Sequence, residues 1–190
     1  MQIGVLAVQG AFAEHKKMIE GLGYTCVEIR KKSDLENIDG IILPGGESTV
    51  QGKLIRELGI EEPLKEMIEK GMPVLATCAG LILLAENIEN DDNVYLGTMP
   101  LRVKRNAYGR QLGSFETRDD IKGLGDFPMV FIRAPYIEKT APGVEVIANV
   151  DGKAVAASYK NQIGLAFHPE LSGDTRIHEV FIEKVKSFLS

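Results

Sequence analysis

The first half of the chain alternates β-branched apolar runs with amphipathic segments, and that alternation leaves few folds open. "IGVLAV" (3–8), "YTCVEIR" (24–30), "GIILP" (40–44) and "PVLAT" (73–77) read as strands. Such runs, apolar along their whole length in all but "YTCVEIR", suit strands buried on both faces. Between them lie "AFAEHKKMIEGLG" (11–23), "STVQGKLIRELG" (48–59) and "EEPLKEMIEKG" (61–71), each charged on one side and apolar on the other. These read as surface helices. Strand, helix, strand in succession builds a parallel sheet covered by helices on both faces.

From residue 94 to 167 the texture changes. Short runs, "LRVKR", "GSFET", "MVFIRA", "VEVIANV", "KAVAASY" and "QIGLAF", are separated by Gly, Pro, Asn and Asp. They read as strands joined by turns that extend the sheet in mixed orientation. "RIHEVFIEKVKSFL" (176–189) closes the chain as an amphipathic helix. With 190 residues, no repeat and no linker, residues 1–190 are expected to form a single domain. The formal net charge of -5 carries no run of five or more like charges, which argues against a nucleic-acid binder. No segment approaches the ~20 apolar residues that span a bilayer, so no membrane association and a cytoplasmic location are expected. The two cysteines, Cys26 and Cys78, form no CxxC pair, and neither a disulfide framework nor a structural metal site is expected.

Cys78 sits in "ATCAG", between a strand and the segment "LILLAEN", which reads as a helix. A nucleophile on so sharp a strand-to-helix turn needs small neighbours, and Ala76 and Gly80 supply them. The positive helix end favours a thiolate, and the amide of Ala79 points where an oxyanion would form. The alternative is that Cys78 is a buried small hydrophobe, as free cysteines commonly are. Cys26, in an apolar strand, reads as core.

A thiol nucleophile needs a base, and the chain has three histidines, His15, His168 and His178. His15, among Lys and Glu in a helix, and His178, in the last helix, read as solvated or capping residues. His168 ends an apolar strand in "FHPEL", at the sheet edge where open α/β folds place their sites. Glu170 follows two positions on, and Pro169 favours an extended backbone that would put both side chains on one side. "LPGGES" (43–48) offers a tight turn after a buried strand, and the amide of Gly46 could join Ala79 in an oxyanion hole. GxGxxG and GxxxxGK[ST] are both absent. Arg105 in "RNAYGRQ" and Arg133 in "FIRAP" could clamp a carboxylate, although solvated loop arginines are the default reading.

"LPGGES", "TCAG" and "FHPEL", in that order, resemble the class I glutamine amidotransferases. "VQGAFAEH", "GGESTVQGKL", "RNAYGRQ", "FIRAP" and "FHPELSGDTRIHEVF" narrow the resemblance to the glutaminase subunits of pyridoxal 5'-phosphate synthase, from residue 3 to 188. The resemblance implies a flavodoxin-like three-layer α/β fold with a central, mostly parallel mixed sheet. It implies a triad of Cys78, His168 and Glu170 that hydrolyses L-glutamine to glutamate and ammonia through a glutamyl thioester. Glutamine binding falls to Gly46, Glu47, Ser48, Arg105, Ile132 and Arg133. The implied partner is the synthase subunit, in a large hetero-oligomer. Pyridoxal phosphate is that subunit's product, so no cofactor is implied for this chain. A glutaminase serving another acceptor, such as that of imidazole glycerol phosphate synthase, is the alternative.

Overall fold

The computed structural model of the chain describes residues 1–105 and 113–190. The first βα units form as the alternation requires. β1 (Gln2–Leu6) leads to α1 (Phe12–Gly21), β2 (Thr25–Ile29) and β3 (Gly40–Leu43). Then come α2 (Ser48–Glu57), α3 (Glu61–Glu69) and β4 (Val74–Thr77), followed directly by the short α4 (Ala79–Leu84). All of β3 and β4 is buried, which explains their unbroken apolar character.

β5 (Ala85–Ile88) and β6 (Met99–Lys104) follow, then β7 (Ser114–Ile121), β8 (Gly125–Ile132) and β9 (Tyr136–Thr140). β10 (Glu145–Val150), β11 (Lys153–Tyr159), β12 (Gln162–Leu165) and α5 (Arg176–Leu189) complete the chain. The main sheet runs β2-β1-β3-β4-β12-β11-β9-β6-β5, with β10 paired to β11. Its first five strands are mutually parallel, and β11, β9 and β10 bring in the antiparallel pairs. Helices cover both faces. Along β3, Gly40 faces Val185 and Phe181 of α5, whereas Leu43, on the opposite face, meets Gly80 of α4. No helix among the described residues is long and apolar enough to cross a membrane.

Three expectations about the course of the backbone need correction. "GSFET" and "MVFIRA" do not extend the main sheet but pair with each other, as the separate antiparallel hairpin β7–β8. Its inward residues Phe127 and Phe131 pack against Phe167, just beyond β12, so burial of an aromatic cluster takes the place of sheet pairing. "LILLAEN" is helical only to Leu84; from Ala85 the backbone extends and pairs with β6, tertiary pairing overriding local propensity. The turn after His168 is the third, and it belongs to the site.

Candidate active site

β1, β3, β4 and β12 are parallel, so their carboxyl ends share one edge. β2 and β3 flank β1 on opposite sides, which makes this edge a topological switch point, where open α/β sheets place ligands. A cleft of about 1190 Å³ opens there.

The loops after β1 and β3 are tied together across the switch point. Ala11 N–H donates to Gly45 O at 2.9 Å, and Glu47 N–H donates to Gln9 Oε1 at 2.9 Å. From α2, Gln51 donates to the carbonyls of Gln9 and Pro44 at 3.1 and 3.2 Å. The Gly-Gly turn is thus held on three sides before any ligand arrives.

Cys78 stands between β4 and α4 with φ +50° and ψ -103°, a conformation that side-chain-bearing residues rarely adopt. Its backbone is fixed by the N–H donating to Leu165 O at 2.8 Å. Gly80 makes the elbow possible, since a Cβ there would lie 2.1 Å from Leu43 O. The sulfur faces the cleft, 3.8 Å from Ile132 O of the β7–β8 hairpin.

His168 is placed by that same hairpin, its N–H donating to Val130 O at 2.8 Å. Pro169–Leu171 form a 3-10 turn, not the extended strand expected from Pro169. With φ near -65°, proline suits the first position of a helical turn, and the turn swings Glu170 back beneath the ring. Glu170 Oε1 then meets His168 Nδ1 at 2.7 Å, leaving Nε2 for the sulfur. Burial disfavours the charged ring, but hydrogen bonding to Cys78 and Glu170 overcomes it and raises the His168 pKa to about 10. The site therefore stabilises an imidazolium between a sulfur and a carboxylate.

Gly46, Glu47, Ser48, Cys78, Ala79, Arg105, Ile132, Arg133 and His168 all border the cleft, and Glu170 lies behind His168. Arg105 pairs with Asp91 and donates from Nη2 to Ser48 Oγ at 3.1 Å, so its guanidinium is aimed rather than solvated. Asp91 is held below the usual carboxylate range by the Asn93 amide and by Arg105. Sequence reasoning missed Asp91, which sits in a loop of acidic residues with no distinguishing pattern. The remainder of "RNAYGRQ" lies outside the described residues. Arg133 takes φ +45°, another strained backbone at the cleft rim. Cys26 is buried, and desolvation pushes its thiol up to about 12, in keeping with a core residue.

The reading of His15 and His178 as solvated or capping residues is overturned: both are fully buried. Nδ1 of His15 lies 2.9 Å from Nε2 of His178, and Nε2 of His15 lies 3.3 Å from Glu170 Oε2. Burial holds both rings neutral; the neighbouring histidines add to the effect on His15, and His178 is lowered to about 4. Their signal was periodicity: His15 stands four residues before Ile19 and His178 between Ile177 and Phe181, both on buried stripes.

Residues 5–187 match the SNO glutamine amidotransferase family. A pyridoxal 5'-phosphate synthase subunit PdxT from Desulfitobacterium hafniense strain Y51 is 60% identical over 97% of this chain and 94% of its own length. One from Streptococcus pneumoniae is 50% identical over 98% of both chains. A crystal structure of a glutamine amidotransferase superposes with a TM-score of 0.93 at 44% identity, covering 97% of this chain and 98% of the other. A putative GMP synthase subunit from Thermoplasma acidophilum, 18% identical over 99% of this chain and 95% of its own, shares the fold with a TM-score of 0.71. The chain belongs to the SNO glutamine amidotransferase family.

Proposed function

We propose that this chain is the glutaminase subunit of a pyridoxal 5'-phosphate synthase, with Cys78, His168 and Glu170 as its catalytic triad. The observation that carries the triad is the alignment of a strained cysteine elbow, a histidine raised to about 10 and a buried carboxylate 2.7 Å behind it, all at one cleft. Relatives 50 to 60% identical over nearly the whole chain support the choice of acceptor pathway.

The chemistry follows from the parts. Arg105 and Arg133, both on the cleft lining, bind the substrate α-carboxylate and fix the side-chain amide over the sulfur. The Cys78 thiolate attacks the amide carbon. The backbone amides of Gly46 and Ala79 take the charge that develops on oxygen. The His168 imidazolium gives its Nε2 proton to the amide nitrogen, the C–N bond breaks, ammonia leaves and a glutamyl thioester remains. Water then attacks the thioester while His168 accepts its proton, and C–S cleavage releases glutamate and restores the thiolate. Glu170 keeps the ring oriented and stabilises its charged form. Ammonia in neutral water is mostly ammonium, which is not a nucleophile, so transfer through a closed path to a synthase subunit suits the chemistry. The working unit is a single domain of residues 1–190, acting in the cytoplasm.

The test combines glutamine hydrolysis with labelling by a diazo-ketone glutamine analogue, with the synthase subunit present. Stoichiometric labelling of Cys78 and loss of glutamate formation are expected. Labelling at Cys26 with activity retained would remove the nucleophile assignment.

A further inference from the structure

The site does not end at Glu170. One carboxylate oxygen, Oε1, receives His168; the other, Oε2, is enclosed and has no hydrogen bond among the described residues. His15 Nε2 lies 3.3 Å from it and 3.2 Å from Thr77 Oγ1 at the end of β4. α1 carries His15 to this point, and α5 carries His178 to the far side of its ring.

The protons can be placed from the partners. A bare nitrogen lone pair beside a buried carboxylate oxygen is repelled, so Nε2 of His15 carries the hydrogen. Its Nδ1 then accepts, which requires His178 to donate from Nε2. That leaves His178 Nδ1 as a bare lone pair, and it is the one atom of the pair without a partner. A lone pair costs less to bury unpaired than an N–H does, so the arrangement is consistent throughout.

We infer that His15 is a positioning residue for glutamine hydrolysis, its Nε2–H bonded to Thr77 and held 3.3 Å from the second oxygen of Glu170, with His178 fixing its tautomer. The inference rests on the triad reading above. Packing alone does not account for the pair: two fully buried imidazoles lose their hydration, and apolar side chains would fill the space without that cost. What an apolar residue could not do is hold the carboxylate against His168 from behind. Without the His15 donor, Glu170 is free to turn away, which weakens its grip on the imidazolium. Among the described residues, the titratable groups facing this carboxylate are His168 from its own turn, with Cys78 beyond it, and His15 from α1, with His178 behind it.

The test is kinetic, with the synthase subunit present. His15→Leu should lower kcat about 10- to 100-fold with KM within about twofold, because His15 does not border the cleft. The alkaline limb of the kcat profile, set by His168, should move to lower pH. In a Glu170→Ala background the same substitution should cost less than about twofold, since the group it serves is gone. His15→Gln can return an N–H to the Nε2 position and should recover most of the rate, whereas His15→Asn reaches only the Nδ1 position and should not. This amide pair carries the test if the leucine variant fails to fold. Equal losses in both backgrounds, an unmoved alkaline limb, or equal activity of the two amide variants would overturn the inference while leaving the triad intact. A wild-type chain that does not hydrolyse glutamine would instead bring down the function reading and this one together.

Discussion

A single methyl group at Gly45 separates the working position of His168 from every other feature of the site. Gly45 lies in the loop after β3, and its Cα faces the His168 ring so closely that a Cβ would sit 2.3 Å from Cε1 and 3.0 Å from Nδ1. Ordinary contact begins near 3.4 Å, so Gly45→Ala requires the loop and the ring to part by about 1 Å. The loop is tethered by Ala11 N–H and by Gln51, while His168 is tethered by Val130 O and Glu170. The ring is the softer partner, since a rotation about its side-chain bonds breaks no backbone bond. A displacement of about 1 Å at reacting groups costs on the order of 100-fold in rate. We therefore expect kcat for glutamine hydrolysis to fall about 100-fold or more. Gly45 is not held in the left-handed region, so alanine introduces no backbone strain, and Tm should drop by only a few degrees. The assay is glutamate release at saturating glutamine, with thermal melting alongside. Wild-type kcat in a folded Gly45→Ala protein would show that His168 does not work from this position.

Asp91→Asn should loosen the aim of Arg105 and raise the KM for glutamine about 10-fold while leaving kcat nearly unchanged, a split that steady-state kinetics reads directly. Alkylation by iodoacetamide at neutral pH should modify Cys78 and spare Cys26, whose thiol is pushed up to about 12 by burial; peptide mapping checks it. His178 is lowered to about 4 by burial, below the ~6.5 of an unfolded histidine, so its neutral burial stabilises the fold above pH ~6.5 and this contribution is lost as pH falls toward 4. That loss approaches about 3 kcal/mol at pH 4, and His178→Leu should flatten the fall in Tm between pH 6.5 and 4. His168 has the opposite sign: its pKa is raised to about 10, so its contribution is complete below pH ~6.5 and disappears as pH rises through 10, where glutaminase activity should fade with it.

The parallel half of the fold was legible because its strands are buried on both faces and say so residue by residue. "GIIL" and "VLAT" contain no polar position on either face except Thr77, and the helices between them carry their charges on the exposed side, with the one exception of Glu61 at the start of α3. The antiparallel half was legible as strands but not as a topology. "MVFIRA" and "QIGLAF" look alike in sequence, yet one joins a detached hairpin and the other the centre of the main sheet. What separates them is long-range: Phe127 and Phe131 find Phe167, and that aromatic cluster cannot be read from either segment alone. The strand after α4 was hidden for the same reason, since "AENI" has no pattern that distinguishes a helix end from a strand that pairs with β6.

At the site, the residues that could be found were those whose chemistry is local. Cys78 announces itself through Ala76 and Gly80 because a sharp elbow excludes larger neighbours on either side of it, and His168 through its place at the end of an apolar strand. Glu170 is legible from its spacing to His168, although the backbone between them is not the expected one. Two residues apart in an extended chain and two residues apart across a 3-10 turn both bring side chains together, but only the turn also directs Oε2 inward, toward α1. Under the extended expectation, therefore, nothing calls for a partner on the far side of Glu170, and His15, among Lys and Glu, and His178, in the last helix, read as solvated or capping residues. The buried stripe of each helix contradicts that reading, because Glu14 and Lys17 lie on the opposite face of α1 from Ile19 while His15 lies on the same one. A histidine on an apolar stripe must meet a polar group at the core, and the polar groups that α1 overlies are those at the carboxyl end of β4 and in the turn after β12: Thr77 and Glu170. The position of the stripe, combined with the βα order of the fold, thus contains enough information to send His15 to the back of the triad.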